Sequence, residues 1–410
     1  MGSRIRNLGD QRVLWSFHQQ RQQIQIWQIL ILLADKLNWE YLEELKVSIW
    51  RTIGRMTNMG TYPITKSDSV SCCVRQPPLT RRRSSRNKST PAADHHQKYN
   101  ICFCLLESRD FPRLGSESTP TNRAISRTSF TALPDRFLVG VMATVSSTCS
   151  SPADLIRPML ACKKLWSVGR SARVLVSAAS PALDVAAAKW SPGAHCFLKR
   201  CADAGNTEAC YILGMIYFYS LGLRKWGVAL MAKAAMQAHA AALQSLAIIQ
   251  FNGSGGRRRN KDLSSAITLC AAGASLGYVD AMWELGHCLL TGYGALTNVS
   301  LGTSIIWKAN EIERAASASS PVGKVGVHTV NRFLVDWFHS FPPRSGLQLC
   351  SHSSCGRPET RKYEFKRCSA CDSVQYCSKA CQNWDWKFRH KDECVTKIMK
   401  DLRQMSLHRV

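Results

Sequence analysis

The chain has 410 residues, more than one ordinary domain holds, and 45% of them are apolar, enough for a sizeable core. It carries 54 Lys and Arg against 28 Asp and Glu, a formal net charge of +26 that favours acidic partners without choosing among nucleic acid, membrane surface and protein. The most apolar stretch, near residues 24–34, is shorter than the ~20 residues of a membrane-spanning helix and is interrupted by Gln25 and Gln28, so we expect no membrane span.

Residues 1–130 are predicted to form a basic, largely disordered arm. The stretch contains 20 basic and 10 acidic residues, a net of +10, and includes the run Arg81-Arg82-Arg83. Polar, charge-rich sequence of this kind buries too little apolar surface to fold by itself. The alternative is a nuclear-localisation or nucleic-acid-binding tail.

Organised sequence begins near residue 131 with two predicted helices. Leu133-Pro134-Asp135 opens the first, because proline in the first turn of a helix sacrifices no hydrogen bond. Apolar residues then follow at helical spacing, at Phe137, Leu138, Val141, Met142 and Val145. Ser151-Pro152-Ala153-Asp154 starts the second, with a serine cap and an acid three residues later. Its apolar positions continue from Leu155 to Trp166, and we expect Pro158 to kink or interrupt it.

An internal repeat occupies the middle of the chain. Ala209-x3-Leu213-Gly214 recurs as Ala242-x3-Leu246-Ala247 and as Ala281-x3-Leu285-Gly286, at offsets of 33 and 39 residues. Small residues at fixed positions let two helices pack closely, which is typical of helix-pair solenoids with periods in the thirties. We therefore predict helical repeats over 171–314. In the linker 315–346, the apolar residues 333–338 predict a helix that caps the solenoid, with a docking motif as the alternative.

The C-terminal segment, predicted as a domain over 347–400, carries the clearest chemistry. Seven cysteines and one histidine stand there in close pairs: Cys350, Cys355, Cys368, Cys371, Cys377, Cys381, His390 and Cys394. Eight such ligands suit two zinc ions, because structural zinc is tetrahedral and a gap of two to four residues lets two side chains reach one ion. No set of three ligands with an open position and a nearby general base is apparent, so we expect structural zinc.

This segment resembles the MYND-type zinc finger in its cysteine pairs and in Tyr376-Cys377-Ser378-Lys379-Ala380-Cys381-Gln382, Asp385-Trp386 and His390-x3-Cys394. The resemblance implies interleaved pairs, with one zinc on Cys350, Cys355, Cys377 and Cys381 and a second on Cys368, Cys371, His390 and Cys394. The first pair has four intervening residues where the family usually has two, and His352 between them is an alternative ligand.

The same resemblance suggests a binding role for the finger. The family binds proline-rich peptides through residues that correspond to Gln382 and Trp386, whereas the alternative for Trp386 is a core aromatic. A nucleic-acid finger is the rival interpretation of the metal site. The spacing differs from that of a ββα finger, and we expect the basic residues of this domain to form a solvated surface.

Residues 131–170 resemble an F-box, through Leu133-Pro134-Asp135, the helix that follows and Cys162-Lys163-Lys164-Leu165-Trp166. In that family the motif docks onto a Skp-type adaptor of a cullin ubiquitin ligase. The resemblance implies that adaptor contacts come from Leu133, Pro134, Leu138 and Val141. Arg136 stands where an acidic residue is common, and the alternative is a helical hairpin that covers the end of the solenoid.

The order of F-box, Sel-like tetratricopeptide-type repeats and MYND finger resembles a plant group of F-box proteins. The expected fold is mainly α: an F-box helical cluster and a repeat solenoid, followed by a small cross-braced zinc domain. The resemblance implies a non-catalytic substrate receptor of an SCF-type E3 ubiquitin ligase, with a Skp-type adaptor, a cullin ligase and a protein substrate as partners. The alternative is a scaffold or transcriptional regulator whose finger binds proline-rich partners. We expect a nuclear or cytoplasmic location, and neither membrane nor nucleic acid as a partner.

Overall fold

A computed structural model of the chain describes residues 133–319, 327–397 and 399. The predicted arm over 1–130, with its alternative as a localisation or nucleic-acid tail, lies outside these residues and stays a prediction. Within them the protein is mainly helical, as the sequence predicts. A cluster of short helices, a series of helix pairs, one further helix and a small cysteine-rich domain follow one another along the chain.

Four short helices form the first unit. They are α1 (Asp135–Thr148), α2 (Pro152–Leu160), α3 (Lys163–Gly169) and α4 (Ala172–Val176). Pro134 stands directly before α1 and Pro152 is the first residue of α2, so neither ring removes a helical hydrogen bond. Helix α2 ends two residues after Pro158. The apolar pattern predicted to run from Leu155 to Trp166 is therefore divided between α2 and α3.

This first unit has its own buried centre and is joined to the repeats. Its fully or almost fully buried apolar side chains include Leu138, Met142, Leu155 and Met159. Gly169 in α3 packs against the side chain of Met159, and a Cβ there would lie 2.5 Å from Cγ of that side chain. The side-chain amide of Asn206, at the start of the first full repeat, donates to the carbonyl groups of Leu175, Val176 and Ala178. The cluster and the solenoid are thus one packed body.

The predicted repeats form a solenoid of paired helices. The helices are α5 (Pro192–Asp203), α6 (Thr207–Met215), α7 (Arg224–Met236), α8 (Ala240–Asn252), α9 (Leu263–Ser275), α10 (Val279–Thr291) and α11 (Val299–Ser319). A π-helical turn (Ile216–Ser220) extends α6, and short 3-10 helices lie at Ser180–Leu183, Ala187–Lys189 and Arg258–Asn260. Left-handed glycines end two helices, Gly253 at φ 61° after α8 and Gly292 at φ 70° after α10.

Small residues let the helices of each pair approach closely, as the repeat pattern predicts. A Cβ on Gly227 in α7 would lie 2.7 Å from the carbonyl oxygen of Gly214 in α6. The third pair repeats this contact, since a Cβ on Gly302 in α11 would lie 2.9 Å from the carbonyl oxygen of Gly286 in α10. In the second pair Ala247 is fully buried at the position that corresponds to Gly214 and Gly286. The helical-repeat prediction is confirmed.

The predicted capping helix exists as α12 (Thr329–Ser340), but it does not cap the C-terminal end of the solenoid. It returns to the first repeat, where Phe333 meets Trp190 edge-on with ring centroids 5.4 Å apart. Arg332 pairs with Asp184 at 2.6 Å, a contact far back along the chain. The chain therefore crosses the solenoid after α11, and α12 brings the C-terminal domain against the repeats.

The C-terminal domain consists of two short strands and a helical segment. Strands β1 (Lys366–Arg367) and β2 (Gln375–Tyr376) pair antiparallel, Lys366 opposite Tyr376, and α13 (Lys379–Asp385) continues through a π-helical turn (Trp386–His390). Ser378 caps α13 by accepting a hydrogen bond from the Cys381 amide. None of the helices in the described part of the chain has the length and apolarity that crossing a membrane requires.

Candidate metal centre and partner-binding surfaces

The first set of predicted ligands meets at the base of the C-terminal domain. Cys350, Cys355, Cys377 and Cys381, here called the inner cluster, are all buried, and their sulfur atoms lie within 4.8 Å of one another. The Sγ atom of Cys377 is 3.6 Å from those of Cys355 and Cys381. Tetrahedral zinc with Zn–S bonds of about 2.3 Å sets sulfur atoms about 3.8 Å apart, so the four thiols fit the ion.

The second set of predicted ligands also meets at one place in the C-terminal domain. Cys368, Cys371, His390 and Cys394, here called the outer cluster, also place their ligand atoms within 4.8 Å of one another. Cys368 and Cys394 bring their sulfur atoms to 4.0 Å, and Sγ of Cys371 is 3.4 Å from Nε2 of His390. Three thiolates and one imidazole suit structural zinc. The interleaved assignment implied by the resemblance is the one that the fold brings together.

His352, the alternative ligand, lies outside both clusters. Its ring stacks on Trp384 with centroids 4.2 Å apart, and its Nδ1 accepts a hydrogen bond from the Ser354 amide. The four residues between Cys350 and Cys355 therefore form a small loop that turns His352 away from the sulfur atoms. The longer spacing is accommodated without a change of ligand.

A buried arginine links the inner cluster to the solenoid. Nη1 of Arg357 lies 3.4 Å from Sγ of Cys355, and Nη2 donates to the hydroxyl of Ser245 in α8 at 2.9 Å. Four thiolates around one zinc ion leave a net charge of −2, and a buried guanidinium offsets part of it. The sequence shows this residue beside a ligand but does not reveal that its partner is in a repeat helix.

Two further polar ties join the domain to the repeats. The Asn252 side-chain amide, at the end of α8, donates to the carbonyl of Cys377 at 2.8 Å. The Glu284 carboxylate in α10 accepts from the backbone amides of Lys379 and Ala380, at 2.8 and 3.3 Å. Unpaired amides at a helix N-terminus favour such a group. Burial nevertheless raises the pKa of Glu284 to about 7, against the lowering effect of those two amides.

The predicted peptide contacts of the finger lie on its helical segment. Trp386 is 38% exposed and its ring meets the outer ligand His390 edge-on at 5.8 Å. Gln382 precedes it by one helical turn and accepts a hydrogen bond from the ammonium of Lys379 at 2.8 Å. Their spacing of four residues puts the two side chains on one helical face. Peptide binding at this face stays a prediction, while the partial exposure of Trp386 does not suit a purely core role.

The predicted adaptor contacts divide into exposed and buried residues. Leu133 and Val141 are 40% and 45% exposed, and Pro134 is also exposed. Leu138 differs from these residues, because its side chain is completely buried in the core of the helical cluster, and its role as an adaptor contact stays a prediction. Neighbouring exposed apolar residues that the sequence did not single out as contacts are Phe137, Ile156 and Leu160.

These exposed residues lie in α1, in α2 and directly before α1, and we refer to them together as the α1–α2 face. It consists of Leu133, Pro134, Phe137, Val141, Ile156 and Leu160. Lys164 fixes its edge by donating to the carbonyl of Leu133 at 2.8 Å and pairing with Asp135 at 3.2 Å. Several large apolar side chains exposed in one short unit are characteristic of a protein-binding surface.

A third group of side chains of metal-binding types, Glu208, His239 and His328, is arranged differently from the two clusters. Glu208 lies 2.8 Å from Nε2 of His239 and 3.0 Å from Nε2 of His328. In both histidines Nδ1 accepts a backbone amide, from Ala242 and from Val330, so the ring proton sits on Nε2 and points at the carboxylate. With both Nε2 atoms protonated, the group is a hydrogen-bonded clasp that holds α12 on α6 and α8.

Comparison with known proteins agrees with this architecture. Residues 182–276 match the family described as plant tetratrico peptide repeats, and residues 350–394 match the MYND finger. The chain is 46% identical over 302 residues to F-box protein At1g67340 of Arabidopsis thaliana, across 64% of this chain and 80% of that protein. It is 45% identical over 285 residues to F-box protein At5g50450 of the same plant, across 65% and 85%. The MYND match and the two clusters together confirm two zinc sites.

Proposed function

The chain belongs to the plant F-box proteins that carry tetratricopeptide-type repeats and a C-terminal MYND finger, and from that premise we propose that it is the substrate-recognition subunit of an SCF-type E3 ubiquitin ligase. Its role in protein interaction follows from that membership. More specifically, we propose that it joins a Skp-type adaptor and a cullin ligase to a target protein. One observation carries this step: the α1–α2 face leaves large apolar side chains exposed on the F-box helices.

The α1–α2 face has the chemistry of a docking surface for an adaptor helix. Phe137 is 53% and Leu160 56% exposed, although both belong to helices that also bury large apolar side chains, such as Met142 in α1 and Leu155 in α2. Burial of such side chains against a partner contributes about 25 cal/mol per Å² of apolar surface. An amphipathic helix binds a surface of this kind through side chains spaced along one of its faces.

In this proposal the chain performs no bond chemistry. The repeats and the finger hold a target protein, and the F-box holds the ligase, so that a target lysine is kept at high effective concentration near the charged conjugating enzyme. We also propose a nuclear or cytoplasmic location, because thiolate ligands and the other cysteines require a reducing compartment.

Co-purification with a Skp-type adaptor tests the proposal. We expect the full chain to retain the adaptor and the double variant Phe137→Ala plus Val141→Ala to lose it, because both side chains are exposed and contribute little to the fold. Leu296→Ala plus Val299→Ala is the matched control, since those apolar side chains are 81% and 59% exposed in the segment that leads into α11. Failure of the unmodified chain to bind the adaptor would contradict the ligase role.

The alternative role is a scaffold or transcriptional regulator whose finger binds a proline-rich partner. The hydrogen bonds from Asn206 to the end of α4 and to Ala178 favour it in one respect, since the F-box helices also pack against the first repeat. Partner binding that survives loss of the α1–α2 face, in a chain that never retains the adaptor, would support this role instead.

A further inference from the structure

A strongly basic surface lies where the loop between α8 and α9 meets the finger. The loop, residues 253–262, contains Arg257-Arg258-Arg259 and Lys261. Basic side chains from other parts of the chain join it, namely Arg224, Arg344, Arg361, Lys362 and Lys366. We call this set the arginine-loop surface. It belongs neither to the zinc clusters nor to the α1–α2 face.

The loop is held in one conformation by the finger. Nη1 of Arg361 donates to the carbonyl of Gly253 at 2.9 Å, and the Gly255 amide donates to Oγ1 of Thr360 at 2.7 Å. Arg224 in α7 donates to the carbonyl groups of Gly255 and Thr360, at 3.3 and 3.4 Å. A surface that is ordered before binding loses less entropy when a ligand arrives.

Most of the charge on this surface is not neutralised within the chain. Glu364 and Glu359, the nearest finger carboxylates, are buried, and both accept backbone amides of the finger. Arg361 is paired with Glu364. Across the described residues, no salt bridge is formed by Arg257, Arg258, Arg259, Lys261, Arg344, Lys362 or Lys366.

The crowding of like charge is strong enough to affect titration. Burial lowers the pKa of Lys261, and the neighbouring charges of Lys366, Arg258 and Arg361 lower it further. Cations held this close repel one another, and a bound anion relieves that repulsion. The three consecutive arginines are exposed at the rim, where a partner reaches them first.

We propose that the arginine-loop surface binds an acidic segment of a partner protein, one rich in aspartate, glutamate or both. The planar fork of arginine matches a carboxylate with two parallel hydrogen bonds. Single-stranded nucleic acid instead needs open aromatic faces for its bases. Both nearby tyrosine rings already have a cation over them: Nζ of Lys366 lies 3.7 Å from the ring centroid of Tyr293, and the guanidinium of Arg367 lies 6.0 Å from that of the exposed Tyr363. This occupation of the ring faces favours carboxylates over bases.

This inference rests on the proposed function only in taking the acidic segment to belong to a ligase target. It then names the class of target: a protein with an exposed acidic stretch, held on the junction of repeats and finger. Adaptor binding at the α1–α2 face and peptide binding at the arginine-loop surface are separate measurements. If the chain binds the peptide but not the adaptor, the proposed ligase role is contradicted and the proposal for the arginine-loop surface is unaffected.

Fluorescence anisotropy with the full zinc-loaded chain tests the surface. The probe is a labelled peptide of alternating glutamate and glycine, with a serine–glycine peptide of equal length as the neutral reference. We expect binding of the acidic peptide alone, and a loss of affinity of about tenfold or more in the variant Arg257→Ala, Arg258→Ala and Arg259→Ala. Circular dichroism verifies that this variant keeps its helices, since its three side chains are exposed.

The chain supplies its own matched control in the second run of three arginines. Arg81→Ala, Arg82→Ala and Arg83→Ala makes the same change of charge in the arm, and we expect it to leave peptide affinity within about twofold of the unmodified chain. An equal loss in both variants would mean general electrostatic attraction and would overturn the proposal. So would a single-stranded oligonucleotide of equal charge that binds more tightly than the peptide and loses affinity in the Arg257–Arg259 variant.

Discussion

The inner and outer zinc clusters have similar ligands but different surroundings. The inner cluster packs against Ile248 of α8, and its neighbour Arg357 reaches Ser245 of the same helix. The outer cluster packs only within the finger, around Val374, among the described residues. One ion therefore organises the junction between finger and solenoid, while the other organises the tip of the finger.

The two clusters show that zinc binding has two consequences in this protein, and the spacing of the ligands in the sequence does not distinguish them. Zinc contributes on the order of 10 kcal/mol of folding free energy per site in finger peptides. At the outer cluster that free energy folds the finger itself. At the inner cluster it also positions Arg357 and the Cys377 carbonyl, both of which bond to α8. We therefore expect the inner ion to influence the repeats next to the finger as well as the finger itself.

The largest effect is expected from removing one ligand of each cluster. Cys377→Ser and Cys394→Ser should each lower the zinc content from two ions to one, measured by elemental analysis. Cys377→Ser should also raise hydrogen exchange in α8 and α10, because Asn252 and Glu284 lose their partners at the finger. Cys394→Ser should leave exchange in those two helices close to that of the unmodified chain. Equal exchange in both variants would mean that the clusters do not differ in this way.

A smaller effect is expected from the arginine between the inner cluster and α8. Arg357→Met removes a buried charge that faces thiolates, and breaking such a pair costs about 3 kcal/mol or more. Urea unfolding followed by circular dichroism measures the loss. Arg367→Ala is the matched control on the outer side, because its pair with Asp372 is exposed and worth about 1 kcal/mol or less. Equal midpoints for the two variants would show that Arg357 has no special role.

The sequence predicts the two clusters themselves, but it does not predict most of the difference between their surroundings. Closely spaced cysteine pairs predict zinc, because two ligands on one short loop can reach the same ion. The sequence also predicts the repeats, because a small residue recurs, as Gly214 and as Gly286, at the position where paired helices touch. Asn252 and Glu284 carry no such signal, because their partners are backbone groups more than 90 residues away that only the crossing of the chain at α12 brings near.

The F-box helices show a second limit of sequence reasoning. Leu138 and Phe137 are adjacent in an apolar pattern broad enough for two helical faces, and periodicity does not say which face meets the core. Leu138 is buried and Phe137 is exposed because α1 packs on α2, α3 and α4 with Leu138 and Met142 on its buried side. Only the packed neighbours reveal this choice.

The pH dependence of stability offers a finer probe of the inner side. Glu284 has a pKa of about 7 in the folded chain against 4.5 when unfolded, so the folded state holds the extra proton between these values. Stability from this group therefore decreases as the pH rises from about 4.5 through about 7. Glu284→Gln should remove that decrease, so the difference in unfolding free energy between variant and unmodified chain should grow in favour of the variant over this interval. The comparison is made in excess zinc, because loss of the inner ion would itself remove the partners of Glu284 at the finger.

The smallest effect is expected at the rim of the junction, where the finger meets α11. Lys387 pairs with Glu313 at 2.6 Å and lies 4.3 Å from the ring centroid of Trp283, but both charged side chains are about one-third exposed. An exposed pair of this kind contributes about 1 kcal/mol or less, and salt screens it. Lys387→Ala should shift the urea midpoint slightly in dilute buffer and less at high salt. Arg357→Met should keep its larger shift at both salt concentrations, because its charge is buried beside the inner ion and solvent ions do not reach it. If the loss of stability in Arg357→Met were as small and as sensitive to salt as that in Lys387→Ala, the contacts at the inner cluster would contribute no more than those at the rim.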